Sequence, residues 1–235
     1  MALQKAVVPS PEIPPAEVGK TSASRKRKIV TVASPKGGSG KTTATRNLAV
    51  LAALEGLTVA TVDFDRQRTL TKWWGKRPPE CAPIIHYEVT LTDLEEVAAV
   101  AEIDDADIIL VDTPPSVEDH AEAMRMLIDM SDLVLVATFQ GGDDLDSVIP
   151  WMQYLRQTDI PAAFVLGGTK RRTISLEDAK RKLIQKGELC PIDLPHYEDI
   201  SQAANVGLGI AEIKNAKGAE DAEGIWHFVR GRLAI

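Results

Sequence analysis

KIVTVASPKGGSGKTT, residues 28–43, sets a β-branched apolar run against a glycine-rich loop that opens into a helical pattern. A strand, a tight turn and a helix in that order begin a β-α-β unit. Gly37, Gly38 and Gly40 let successive backbone N–H groups converge, and the helix N-terminus adds its positive end. Such a concavity suits phosphate oxygens, with Lys41 reaching the β- and γ-phosphates and the Thr42 hydroxyl placed on Mg2+. The strict G-x-x-x-x-G-K-[ST] pattern is not met, because Pro35 stands where its first glycine would be. K-G-G-x-G-K-T-T takes its place, with a second lysine, Lys36, inside the loop. A glycine-rich turn that binds nothing is the plain alternative; strand, loop, helix and two lysines in order count against it.

Outward from this stretch, short apolar runs alternate with longer amphipathic ones. Strands are predicted at 28–34, 57–64, 83–89, 107–113, 132–138 and 161–168, with a weak one at 189–195. Helical patterns lie near 42–55, 91–101, 117–130, 143–158, 175–187, 197–206 and 219–233. Strands apolar on both faces imply an α/β fold: a mostly parallel, twisted sheet of about seven strands with helices on both sides. Ligands in such sheets bind at the carboxyl ends of the strands. Two further segments end strands there. IILVDTPPS carries Asp112, suited to holding Mg2+ through water, and VDFDRQ carries Asp63 and Asp65. Any one of these aspartates reads equally as a turn or helix cap; three at two strand ends beside one phosphate loop read as the carboxylates of a nucleotide hydrolase.

Together these segments resemble the deviant Walker A, A′ and Walker B motifs of the ParA/MinD family: the loop with Lys36, D-x-D at 63–65 and V-D-T-P-P at 111–115. The resemblance runs from about residue 28 to the C-terminus and includes NVGLGIAEI at 205–213. It implies a single-domain P-loop ATPase that binds ATP with Mg2+ through Lys36, Gly37, Gly38, Ser39, Gly40, Lys41, Thr42 and Thr43. It further implies that ATP closes two copies face to face with Lys36 reaching the partner's phosphates. By the same resemblance Asp65 positions the attacking water, Asp63 supports Mg2+ or the loop, and Thr43 meets the α-phosphate. Hydrolysis would then be slow and stimulated by a partner.

Charge and composition narrow the setting. With 34 acidic against 27 basic residues the 235-residue chain carries −7, which excludes a histone-like coat, and 44% hydrophobic residues exclude a long disordered protein. Residues 1–28 form a proline-rich tail ending in Arg25-Lys26-Arg27-Lys28; six basic residues against Glu12 and Glu17 give it +4, leaving −11 for residues 29–235. Cys81 and Cys190 suit a reducing, cytoplasmic setting and form no metal cluster. A second basic stretch holds Lys170, Arg171, Arg172, Lys180, Arg181, Lys182 and Lys186 against Glu177, Asp178 and Glu188, a net +4. It reads either as a solvated face or as a strip that grips duplex DNA without reading sequence.

Within the family the reading is the smaller ParA-type partition ATPase, because the tail is too short for a helix-turn-helix domain. The implied partners are a second copy, non-specific duplex DNA and a ParB-type centromere-binding protein, with nucleoid association when ATP is bound. A MinD-like ATPase working on membrane or on another assembly is the alternative, and a P-loop small-molecule synthetase a second. The C-terminal apolar residues Ile225, Trp226, Phe228, Val229 and Leu233 read as core packing, so no membrane partner is expected. Trp73-Trp74 and the acidic FQGGDDLDS at 139–147 read either as packing and a helix start or as switch and partner contacts.

Overall fold

The computed structural model describes residues 27–115 and 117–235. Of the predicted tail only Arg27 and Lys28 fall in this range; the rest lies outside the described residues. Lys28 opens the first strand, and the Arg27 guanidinium donates to the carbonyls of Ile103 and Ala101.

Seven strands form one wholly parallel sheet: β1 (Lys28–Ala33), β2 (Val59–Asp63), β3 (Ile85–Glu88), β4 (Ile108–Asp112), β5 (Leu133–Thr138), β6 (Ala162–Leu166) and β7 (Glu188–Leu189), in the order β3-β2-β4-β1-β5-β6-β7. The central strands are buried on both faces, as their unbroken apolar runs require. Ile29, Ile109, Val111, Val134 and Phe164 face one layer, while Val30, Leu110, Leu135 and Val165 face the other.

The first layer holds α3 (Leu94–Ala99), α4 (Ala121–Asp129), α5 (Gly142–Leu155) and α6 (Ile174–Ile184). The second holds α1 (Lys41–Leu54), α2 (Thr69–Trp74), α7 (Glu198–Asn205) and α8 (Ala219–Leu233). The sheet therefore grows outward in both directions from β1 and β4, and the crevice between their carboxyl ends is where such a sheet takes a ligand. Register aligns Val32 of β1 with Asp112 of β4, and Asp112 with Asp63 of β2. One row thus holds the phosphate-type loop and both Asp-bearing strand ends.

Two elements differ from their sequence expectation. Helix α2 is too short, and too rich in threonine and tryptophan, to show helical periodicity; packing forms it, through Leu70 and Trp73 in the core. The weak strand over 189–195 shrinks to Glu188–Leu189, because Pro191 and Pro195 lack the N–H a ladder needs. Pairing along β6 continues only in fragments, with Cys190 N donating to Phe164 O and Leu194 N to Leu166 O, both at 2.9 Å.

The tryptophan pair serves the core. Trp73 Nε1 donates to Leu208 O at 3.1 Å, and Trp74 Nε1 donates to Ile84 O at 2.7 Å while its ring stacks on His86. The terminal helix likewise buries Ile225, Trp226, Val229 and Leu233 against the sheet. No helix among the described residues is long and apolar enough to cross a membrane.

Candidate functional site

The loop between β1 and α1 turns through two left-handed residues, Gly38 at φ 72° and Gly40 at φ 89°, a conformation that disfavours any side chain. It borders a cavity of about 390 Å3 lined by residues 37–43 together with Asp65, Gln67, Thr69, Pro115 and Phe139. Lys41 is buried and its ammonium donates to the Lys36 carbonyl at 3.3 Å. Burial lowers its pKa, opposed by the charges of Asp112 and Asp65. A buried cation beside converging N–H groups suits an anion.

Thr42 Oγ1 donates to Asp112 Oδ2 at 2.6 Å. The other oxygen, Oδ1, is buried and has no partner among the described residues, as is the Ser39 hydroxyl. Burial pushes the Asp112 carboxyl up to about 7; the Thr42 hydroxyl pulls it down, and Asp63 and Asp65 push it up again. A buried carboxylate with one unused oxygen, held by the threonine at the helix start, fits a hydrated divalent cation. Mg2+ therefore suits these side chains, with Thr42 and Asp112 as the group that would hold it. No group of three or more His, Cys, Asp or Glu among the described residues forms a separate metal cluster.

The two aspartates at the end of β2, Asp63 within the strand and Asp65 just beyond it, differ in their surroundings. Asp63 is fully buried; its Oδ1 accepts from Asp65 N at 2.9 Å, and its Oδ2 accepts from Thr71 N at 2.9 Å and Thr71 Oγ1 at 2.8 Å. These bonds tie the end of β2 to the segment carrying Asp65 and to Thr71. Thr71 in turn meets His86 Nε2 at 3.0 Å, and His86, whose pKa burial lowers to about 4, stays neutral at pH 7. Asp65 instead lines the loop cavity, with Oδ1 accepting from Gln67 N at 2.9 Å.

Lys36 does not line that cavity: its ammonium meets Asp144 Oδ1, in the first turn of α5, at 2.7 Å. Asp144 raises the pKa of Lys36. The acidic stretch after β5 thus supplies both a helix start and a counter-charge for Lys36, a pairing across 108 positions that spacing does not reveal.

A second cavity, of about 240 Å3, adjoins the loop at Ser39, Gly40 and Thr43 and runs between α1, the ends of β5 and β6, and the segment Leu194–Tyr197. Beyond the loop its walls include Leu194, Pro195 and Tyr197, which belong to no motif and were not legible in the sequence. The late segment 205–213 does have a physical role. Glu212 is held by Arg77 through two bonds, at 2.6 and 2.9 Å, and accepts from Gly209 N at 2.8 Å. Ile210 N donates to Asn47 Oδ1 at 2.8 Å, and Asn47 Nδ2 to Thr43 O at 2.8 Å, so this clasp reaches the first turns of α1. Its glycines are close approaches: a Cβ on Gly207, at φ 76°, would lie 2.5 Å from the backbone of Lys76 and Arg77, and one on Gly209 would lie 2.8 Å from Val50.

The basic stretch is only partly available. Lys180 pairs with Asp193, Arg171 with Asp221, and Arg181 with Asp178 at 2.9 Å. Asp193 and Asp221 come from β7–α7 and α8, so a local count of charge misses them. Lys170, Arg172 and Lys182 are exposed and have no ion pair among the described residues.

Comparison with known proteins gives the family and the fold. The chain is 32% identical over 136 residues to the protein virC1 of Rhizobium radiobacter, a match covering 54% of this chain and 55% of that protein, so it spans about half the length of that relative. It is 31% identical over 159 residues to the maintenance of carboxysome distribution protein A of Halothiobacillus neapolitanus, covering 64% of this chain and 71% of that protein. A plasmid partition protein from Borrelia burgdorferi B31, solved bound to AMPPNP, superposes with a TM-score of 0.71 at 17% identity, over 88% of this chain and 100% of that one, and so shares the fold. Residues 30–210 match the CobQ/CobB/MinD/ParA nucleotide binding domain, and the chain belongs to that family.

Proposed function

We propose that this chain is an ATP-dependent partition switch: with ATP and Mg2+ bound, two copies close face to face and grip duplex DNA without reading its sequence, and hydrolysis releases it. The observation that carries the reading is the junction of loop and strand end, where buried Lys41 and the Thr42–Asp112 pair share one crevice with the unused Asp112 oxygen. Phosphoryl transfer is mostly positioning and charge neutralisation. Here Lys41 and the loop N–H groups orient the phosphates, and Mg2+, when bound, neutralises developing charge. Asp65, which faces the cavity, holds the attacking water, and Asp63 fixes the segment that carries Asp65. Lys36 completes the site from the opposite copy once it leaves Asp144. A site completed only in the pair hydrolyses slowly and waits for an activator, which in this reading is a ParB-type centromere-binding protein. The protein then works in the cytoplasm and joins the nucleoid when loaded.

The similarity to a carboxysome distribution protein supports a second reading, in which the same switch positions a protein assembly instead of DNA. Mobility shift on arbitrary duplexes separates the two. Binding is expected only with ATP and Mg2+, and joint replacement of Lys170, Arg172 and Lys182 by alanine is expected to weaken it by about tenfold or more at low salt. Affinity that ignores nucleotide, or that stays level from low to high salt, would overturn the DNA reading. ATP turnover raised by liposomes instead of DNA would favour the MinD-like alternative.

A further inference from the structure

Arg46 sits one turn into α1, with three residues between it and Thr42 and two between it and Thr43. It is 9% exposed. Its guanidinium has five N–H donors and makes one bond among the described residues, Nη2 to Thr43 Oγ1 at 3.3 Å. It pairs with no carboxylate there; burial lowers its pKa to about 10, opposed by the charge of Asp112. A cation held out of water with most of its donors unused is costly unless something else accepts from them.

The surroundings say where that acceptor comes from. Arg46 lines the second cavity, whose walls include the apolar Ala137, Val165, Leu194, Pro195 and Ile225 and the polar His196, Tyr197 and Ser201, none of which bonds to Arg46 among the described residues. Asn47, the neighbouring polar residue, has its carbonyl oxygen committed to Ile210 N and its amide to Thr43 O. Thr43 lines both this cavity and the loop cavity. A nucleotide whose phosphates sat on the loop and whose base entered the second cavity would pass Thr43 and meet the wall that Arg46 forms.

We infer that Arg46 reads the purine of the bound nucleotide by donating to acceptors on its edge. This rests on the reading of the loop as a nucleoside triphosphate site. A donor-only fork matches guanine, which offers N7 and O6 side by side, better than adenine, which offers N7 beside an amino group. The base end of this site thus admits guanine as well as adenine, and Arg46 sets the balance.

The test is equilibrium binding of ATP, GTP and inorganic tripolyphosphate, each with Mg2+, to the full chain and to Arg46→Met and Arg46→Lys. The wild type is expected to bind GTP within about tenfold of ATP, and Arg46→Met to lower the GTP-to-ATP affinity ratio by about tenfold or more. Tripolyphosphate binding should not change, and Arg46→Lys should lie between. If Arg46→Met does not fold, 7-deaza-GTP replaces it as the probe, with an expected loss of about tenfold against GTP on the wild type. Equal losses for all three ligands would make Arg46 a phosphate contact and overturn the inference. So would an unchanged ratio, or a wild type that takes ATP and excludes GTP. A wild type that binds no nucleotide would overturn the nucleotide reading itself, and this inference with it.

Discussion

Replacing Lys41 with methionine is expected to weaken binding of ATP with Mg2+ by about 100-fold, while the nucleotide-free protein melts no earlier than the wild type. The two expectations have one cause. Lys41 is buried in the loop with a single 3.3 Å bond to a carbonyl, and that burial disfavours its charged form. In the absence of a ligand its charge therefore costs the fold more than it contributes, and an apolar chain of similar length relieves the cost. Once phosphate oxygens occupy the cavity the same ammonium becomes a charge-assisted donor out of water, where such contacts are strongest. Isothermal titration and thermal melting measure the two halves independently. Retained affinity, within about threefold of the wild type, would mean that the loop does not hold phosphate through this lysine.

Removing Arg77 is expected to be the most damaging change outside the loop. Its side chain is 6% exposed and that of its partner Glu212 is 8%; the guanidinium also lies over the Trp73 ring, 5.6 Å from its centre, and donates to carbonyls of Ala82 and Gly207. Arg77→Ala strands a buried carboxylate, an outcome that costs about 3–5 kcal/mol in urea unfolding. Arg77→Met combined with Glu212→Leu leaves neither charge stranded and should recover most of that loss. The clasp also fixes Ile210 on Asn47, and through Asn47 the carbonyl of Thr43. Arg77→Ala should accordingly weaken nucleotide binding as well as stability. Additive effects in the double variant, with no recovery, would show that the pair is not the source of the stability.

What sequence could and could not deliver follows from how far apart the interacting residues lie. The loop of residues 34–43 is contiguous, so its glycines, Lys41 and Thr42 were legible at once, and Asp112 was legible because a buried strand ends on it. The sheet was legible for the same reason: each central strand is an unbroken apolar run. The orientation of Asp63 was not, since it depends on Thr71 in a helix that shows no periodicity. Nor was the pairing of Lys36 with Asp144, or the neutralisation of Arg171 and Lys180 by Asp221 and Asp193, because these carboxylates arrive from remote segments. Arg46 lies within the helical pattern near 42–55 and belongs to no motif. Only the cavity beside it shows that its donors lack acceptors.

In the free chain Lys36 is bound to Asp144 of its own copy, and the proposed nucleotide-bound pair needs it to reach the other copy's phosphates. Sedimentation velocity of the full chain and of Lys36→Ala, each with Mg2+ and either ADP or a non-hydrolysable ATP analogue, tests this requirement most directly. The wild type is expected to sediment as a monomer with ADP and as a dimer with the ATP analogue, and Lys36→Ala as a monomer with both. A wild type that stays monomeric with the analogue, or a Lys36→Ala variant that dimerises as fully as the wild type, would contradict it.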